Sequence, residues 1–287
     1  MDGRVCLVTG ATQGIGKITA LALARMGARV AIVARSPERG RAAADEIGRE
    51  AGTEVELYLA DLSLMAEVRR LADAVKAKHD RLHVLVNNAG AIHTTRKITS
   101  EGFETTFATN HLAYFLLTNA LLPLLEAAGE PARKARIVSV SSQAHTRADL
   151  DMDDLMLEKG YGGWRAYANS KLANILFTYE LARRLAGKPV TANCLHPGVV
   201  STGFGKNDKG AFAVLVKIAS PFFITPEKGA RTSIYLASSP EVEDVSGQYF
   251  DRCKTRRSIK VSYDEALAKR LWDRSVTLTQ LGAIAAA

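Results

Sequence analysis

Short apolar runs alternate with helix-period segments along almost the whole chain, and that alternation leaves few folds open. Residues 4–9, 29–34, 54–59, 82–86, 136–140, 190–195 and 247–250 read as strands. Several are apolar at successive positions, as in a parallel sheet buried on both faces. Between and after them, residues 18–26, 37–51, 68–77, 99–128, 167–185, 226–238 and 264–281 carry helical periodicity. Strand, helix, strand in regular turn predicts one α/β unit, a doubly wound parallel seven-stranded sheet with helices on both faces. Its 287 residues can bury a substantial core, and no linker or internal repeat divides it, so residues 1–287 are expected to be a single domain.

The first strand runs into Thr9-Gly10-Ala11-Thr12-Gln13-Gly14-Ile15-Gly16, and a helix follows, closed by Gly27. A glycine-rich turn between strand and helix lets backbone N–H groups approach a pyrophosphate at the positive end of the helix dipole. In this context a dinucleotide site is favoured over a plain turn. The second strand ends Val33-Ala34-Arg35-Ser36. Folds that use NAD often place a carboxylate there, on the ribose 2′-hydroxyl. Arg35 instead suits a 2′-phosphate, which favours NADP(H) over NAD(H). After the third strand, Asp61 before Leu62 is read either as a partner for the adenine edge or as a cap for the next helix. The fourth strand enters Asn87-Asn88-Ala89-Gly90, whose small residues suit close approach of a cofactor to backbone.

Tyr167 and Lys171 are four residues apart at the start of a helical pattern, hence on one face, one turn apart. An ammonium beside a phenol favours the phenolate and lowers its pKa, which suits a general acid/base for carbonyl and alcohol interconversion. Asn110 lies among Phe107, Leu112 and Phe115, either a satisfied core amide or part of a site. The fifth strand ends in Ser141-Ser142, and a long Asp- and Gly-rich connection, 143–163, follows. His196, before Pro197-Gly198, reads as a packed histidine at a strand end. Residues 211–224 contain two apolar runs broken by Ser220-Pro221, and are read as a lid over a site or as a surface-seeking segment that makes peripheral membrane contact.

Other chemistries are disfavoured. Cys6, Cys194 and Cys253 are odd in number and far apart, which argues for buried free thiols rather than a disulfide framework or zinc site. His79 and His83 have metal-like spacing but flank a loop, so no metal site is expected. The net charge of +8 is dispersed and not interleaved with aromatics, against nucleic-acid binding. No apolar stretch approaches the roughly 20 residues that span a bilayer, and no secretory signal is evident, so a cytoplasmic location is expected.

Taken together, Thr9-Gly10…Gly14-x-Gly16, Asn87-Asn88-Ala89-Gly90, Asn110, Ser142, Tyr167/Lys171 and Pro197-Gly198 stand in an order and spacing that resembles the short-chain dehydrogenase/reductase family, from Arg4 to Leu281. Tyr167-Ala-Asn-Ser-Lys-Leu-Ala-Asn-Ile-Leu-Phe, His196-Pro-Gly-Val-Val, Gly247-Gln-Tyr-Phe and Lys269-Arg-Leu-Trp are similar to retinol-dehydrogenase-like members. The resemblance implies a Rossmann-type fold and a catalytic set of Asn110, Ser142, Tyr167 and Lys171. Tyr167 would exchange the proton, Lys171 lower its pKa and hold the nicotinamide ribose, Ser142 orient the substrate oxygen, and Asn110 support a water relay to Lys171. Ser142 is chosen over Ser141 by its place after the strand. The implied cofactor contacts are Gly10, Thr12, Gln13, Gly14, Ile15, Gly16, Arg35, Asp61, Leu62, Asn88, Ala89, Gly90, Tyr167, Lys171, Pro197, Gly198, Val200 and Thr202. Some NADP-using relatives carry a basic residue where this chain has Gln13, which leaves Arg35 as the main argument for NADP. The expected substrate is a small apolar aldehyde, ketone or alcohol of retinoid, steroid or xenobiotic type, under a lid at 203–226. A nucleotide-binding sensor without turnover is the alternative. Relatives commonly assemble as homodimers or homotetramers.

Overall fold

The computed structural model describes residues 1–198 and 224–284. Val200, Thr202 and most of the expected lid and apolar segment, through residue 223, lie outside the described residues.

The strands are β1 (Val5–Thr9), β2 (Arg29–Ala34), β3 (Glu56–Leu59), β4 (Val84–Asn87), β5 (Ala135–Val140), β6 (Val190–His196), β7 (Tyr249–Asp251) and β8 (Lys254–Arg256). They form one eight-stranded sheet in the order β3-β2-β1-β4-β5-β6-β7-β8. All neighbours pair parallel except β7 and β8. The longer helices are α1 (Gly14–Arg25), α2 (Pro37–Ala51), α3 (Met65–Lys78), α4 (Ala113–Ala128), α5 (Gly163–Arg184), α6 (Pro226–Ser238) and α7 (Glu265–Thr279).

Period-2 alternation within the strands divides the core. In β1, Val5 and Leu7 join one cluster, with α3, α4, α5 and α7, while Cys6 and Val8 join another, with α1, α2 and α6. Each buried strand therefore needs apolar residues on both faces. Cys6 and Cys194 are buried free thiols in this framework, each pushed up to about 12 by loss of hydration. Thr105–Ala128 is long and apolar enough to cross a membrane by composition, but two-thirds of its most apolar stretch is packed inside the protein, so it is read as a core helix.

Three departures from the sequence expectation have physical causes. The sheet has an eighth strand, because Arg252 and Cys253 both take left-handed φ values, 52° and 60°, and reverse the chain in two residues. That turn lacks the Asn-Gly signature that normally marks such a hairpin. Asp61 does not cap α3. It closes a local turn, accepting from the backbone and hydroxyl of Ser63 at 3.0 and 2.8 Å, while Glu101 accepts from the first amides of α3, Met65 and Ala66, at 2.6 and 2.9 Å. Residues 99–104 are not helical. The helical stretch starts with a short turn, Thr105–Phe107, and passes through a π turn, Ala108–Leu112, before α4.

Candidate active site

Strand order reverses beside β1, which has β2 on one side and β4 on the other. The carboxyl ends of β1 and β4 diverge there, at the position where open α/β sheets bind ligands. The Thr9 hydroxyl ties the two ends together. It donates to Val86 O at 3.3 Å and accepts from the amides of Asn88 and Ala89 at 2.9 and 3.1 Å. The Asn88 side chain donates to the carbonyls of Thr9 and Gly10 at 2.9 and 3.1 Å. A Cβ on Gly16 would lie 2.4 Å from Asn88 Nδ2 and 2.5 Å from Gly10 O, so only glycine lets α1 start this close to the turn.

A nucleotide phosphate fits this turn on a local observation. Gln13 is the N-cap of α1 but makes no side-chain cap hydrogen bond, and the first turn carries no acidic residue. The leading amides are thus left to an anionic group at the positive end of the helix. Thr12, Ile15 and Gly14, with φ of 57°, complete the turn. Arg35 lies at the end of β2 with its side chain 70% exposed, 3.8 Å from Asp61. Leu62 is buried next to Asp61. Pro197 and Gly198, the latter with φ of 90°, follow β6 at the same end of the sheet.

Tyr167, Ser170 and Lys171 share the inward face of α5. Lys171 is 3% exposed and donates to Val140 O at 2.9 Å, and its Nζ stands 5.5 Å from the centre of the Tyr167 ring. Burial lowers the Lys171 pKa to about 7. Tyr167 is half-buried by surface area, and loss of hydration pushes its phenol up to about 12 against the opposing pull of a hydrogen bond with Ser142. This corrects the expectation that Lys171 depresses the Tyr167 pKa. Burial lowers the lysine and raises the phenol, and desolvation is the largest influence on each.

The two serines at the end of β5 separate cleanly. Ser141 is buried and spends its hydroxyl on Lys171 O at 2.8 Å. Ser142 hydrogen-bonds with Tyr167 and accepts from Ala144 N at 3.2 Å. Asn110 sits on the π turn, fully buried. Its Oδ1 accepts from Ala91 N at 2.8 Å, and its Nδ2 donates to Ala91 O and to Ser170 Oγ, both at 2.9 Å. Asn110 and Lys171 meet at Gly90, where a Cβ would stand 3.5 Å from both Asn110 Oδ1 and Lys171 Nζ. His196 is buried, accepts from Gln143 N at 3.2 Å, and is lowered to about 4 by loss of hydration.

Two residues at the site escaped the sequence reading. Tyr114 is buried, donates to Ala89 O at 2.7 Å and presents its ring 5.8 Å from Lys171 Nζ. Its spacing of four from Asn110 was the available signal. Thr9 was read as a strand end and the head of the glycine motif, with no part given to its hydroxyl, although a hydroxyl before a glycine turn can bond the neighbouring strand.

The chain's sequence matches the family described as short chain dehydrogenase over residues 4–211. Retinol dehydrogenase 14 of Homo sapiens is 43% identical, the match covering 98% of this chain and 88% of that protein. Polyprenol dehydrogenase of Homo sapiens is 42% identical over 96% of this chain and 85% of its own length. Among solved structures, the Pseudomonas aeruginosa RhlG/NADP active-site complex superposes with a TM-score of 0.71 at 29% identity, covering 87% of this chain and 94% of that one.

Proposed function

Since the chain belongs to the short chain dehydrogenase family, oxidoreductases that use NAD(P), we propose that it interconverts an apolar alcohol with its aldehyde or ketone and prefers NADP(H). The observation that carries the reading is the meeting of Tyr167, Ser142 and Lys171 beside the glycine turn. The bound nicotinamide supplies the hydride chemistry. Tyr167 exchanges a proton with the substrate oxygen at its phenol oxygen, and Ser142, hydrogen-bonded to that phenol, orients the same oxygen. Lys171 and Asn110, adjacent at Gly90, hold the cofactor ribose and pass protons between Tyr167 and solvent. Gly10, Gly14, Gly16, Asn88, Ala89 and Gly90 form the cradle for the dinucleotide. Retinol and polyprenol in the names of the relatives support an apolar substrate, and the NADP complex of the structural relative supports the cofactor choice.

The test is consumption of NADPH and NADH by purified protein against aldehydes and ketones of rising apolar size. Turnover with NADPH that grows with apolar size is expected. Equal rates on small polar carbonyls defeat the substrate half, and a preference for NADH defeats the cofactor half. Arg35→Asp is expected to lower the NADPH/NADH preference in kcat/KM by tenfold or more, about 1.4 kcal/mol, by replacing a cation with a carboxylate beside Asp61. Ser142→Ala is expected to reduce kcat by roughly 10²-fold. Ser141→Ala removes only a bond to the α5 backbone, costs about 1 kcal/mol of stability, and leaves kcat near that of the parent. Comparing kcat and thermal midpoints of the two variants checks this assignment.

A further inference from the structure

Ser142 stands where β5 gives way to a 3-10 turn, Gln143–Arg147, and the peptide beneath its hydroxyl is held by His145. The imidazole Nδ1–H donates to Ser142 O at 2.7 Å, and the backbone N–H of His145 reaches the same oxygen at 3.2 Å. On the other side of the ring, Nε2 accepts from Ile259 N at 3.2 Å. One ring nitrogen must donate and the other accept, a condition met only by the neutral δ-protonated tautomer. His145 is 2% exposed, its ring packs edge-on against Tyr249 at 5.0 Å, and burial lowers its pKa, which keeps it neutral.

Ile259 leads into the 3-10 turn Lys260–Tyr263, and that segment is itself fixed to α5. Tyr179 and Ser258 share a hydrogen bond of 2.9 Å, and Ser258 and Ser262 one of 2.6 Å. A segment 114 residues downstream of His145 thus reaches the Ser142 carbonyl through one imidazole. His196 steadies the far side of the same turn by accepting from Gln143 N.

We propose that His145 is a positioning residue for the reaction: spanning the Ser142 carbonyl and the Ile259 amide, it fixes the peptide that aims the Ser142 hydroxyl at Tyr167. This rests on the reading of Ser142 and Tyr167 as the reacting pair.

Two substitutions separate the halves of the span. In His145→Asn the side-chain amide occupies the place of Nδ1, so it keeps a donor for Ser142 O and loses the reach to Ile259. In His145→Gln the amide sits where Nε2 was, so it keeps an acceptor for Ile259 and loses the bond to Ser142. The expected result is a kcat within about threefold of the parent for His145→Asn and a loss of about tenfold or more for His145→Gln, with cofactor KM unchanged in both. A merely structural histidine would give kcat losses that follow the drop in thermal midpoint and do not distinguish the two variants, and that result overturns the proposal.

A second readout is independent of turnover. In protein carrying ¹³C-labelled tyrosine, the Cζ resonance of Tyr167, assigned by its disappearance in Tyr167→Phe, is expected to move in Ser142→Ala. It should move in the same direction in His145→Gln and stay in place in His145→Asn. A resonance that stays in place in His145→Gln overturns the proposal. If the parent protein turns over no carbonyl, the functional reading fails while the resonance still decides whether His145 aims Ser142.

Discussion

Tyr167→Phe is expected to lower kcat with the best carbonyl substrate by roughly 10³-fold while cofactor affinity stays within a few-fold of the parent. The substitution removes one oxygen and keeps the ring, so the packing of α5 and the ring contact with Trp164, at 5.9 Å between centroids, are retained. What disappears is the hydroxyl that hydrogen-bonds with Ser142 and to which the proposed function gives the proton exchange. Stopped-flow or steady-state turnover, paired with fluorescence titration of NADPH, measures both quantities on one preparation. If the protein were a nucleotide sensor without turnover, parent and variant would bind the cofactor alike and neither would consume it. A loss of binding equal to the loss of turnover would instead make Tyr167 a cofactor contact with no role in proton exchange.

Lys171→Met is expected to abolish most turnover and, in the cofactor-free protein, to raise the thermal midpoint by several degrees. The buried ammonium donates to Val140 O, and among the described residues no carboxylate lies within ion-pair distance of it. Burying such a charge costs several kcal/mol. Losing the Lys171 bond leaves the Val140 carbonyl only the long contact from Asn174 Nδ2 at 3.5 Å, a cost of at most about 1–3 kcal/mol, so the desolvation effect wins. The sign of the pH dependence follows from the shift. The folded pKa is lowered from 10.5 to about 7, so between those values the unfolded chain holds more protons than the folded one. Stability due to this group therefore rises with pH across that window. The advantage of Lys171→Met should be largest at pH 7 and below, and should shrink toward pH 10.5. Parallel melting curves of the two proteins from pH 6 to pH 10 measure it, and an advantage that does not narrow with pH would show that the lysine is not desolvated as described.

The sequence reading reached the architecture because the strands of this sheet are buried on both faces. Val5 and Leu7 must be apolar for one cluster, Cys6 and Val8 for the other, and the result is a run that reads as a strand without any partner in view. The hairpin between β7 and β8 carries no such pattern. Its turn residues, Arg252 and Cys253, take left-handed geometry, with the Cys253 amide bonded to Thr232 Oγ1 at 3.2 Å, a contact no local pattern announces. Helix capping failed for a related reason. Asp61 has the right residue type at the right place, but a carboxylate from Glu101, distant in sequence, takes the amides. At the site, spacing placed Tyr167 and Lys171 on one face of a helix, which needs only helical geometry. The sign of the Tyr167 shift depended on how much water the fold removes, and spacing holds no information about that. Tyr114 and His145 act through backbone carbonyls, Ala89 O and Ser142 O, so their parts in the site appear only in three dimensions.

The π turn at Ala108–Leu112 has a consequence for the tolerance of deletions. Such a turn is equivalent to one extra residue threaded into an α-helix. Removing one codon there would restore ordinary winding and rotate what precedes it by about 100° relative to α4. Asn110 would swing away from Ala91 and Ser170, and Phe107 and Ala108 would turn out of the core they fill, while the apolar ridge of α4 kept its place. The packing of the domain and the geometry of its candidate reactive corner are thus tied to the same inserted residue.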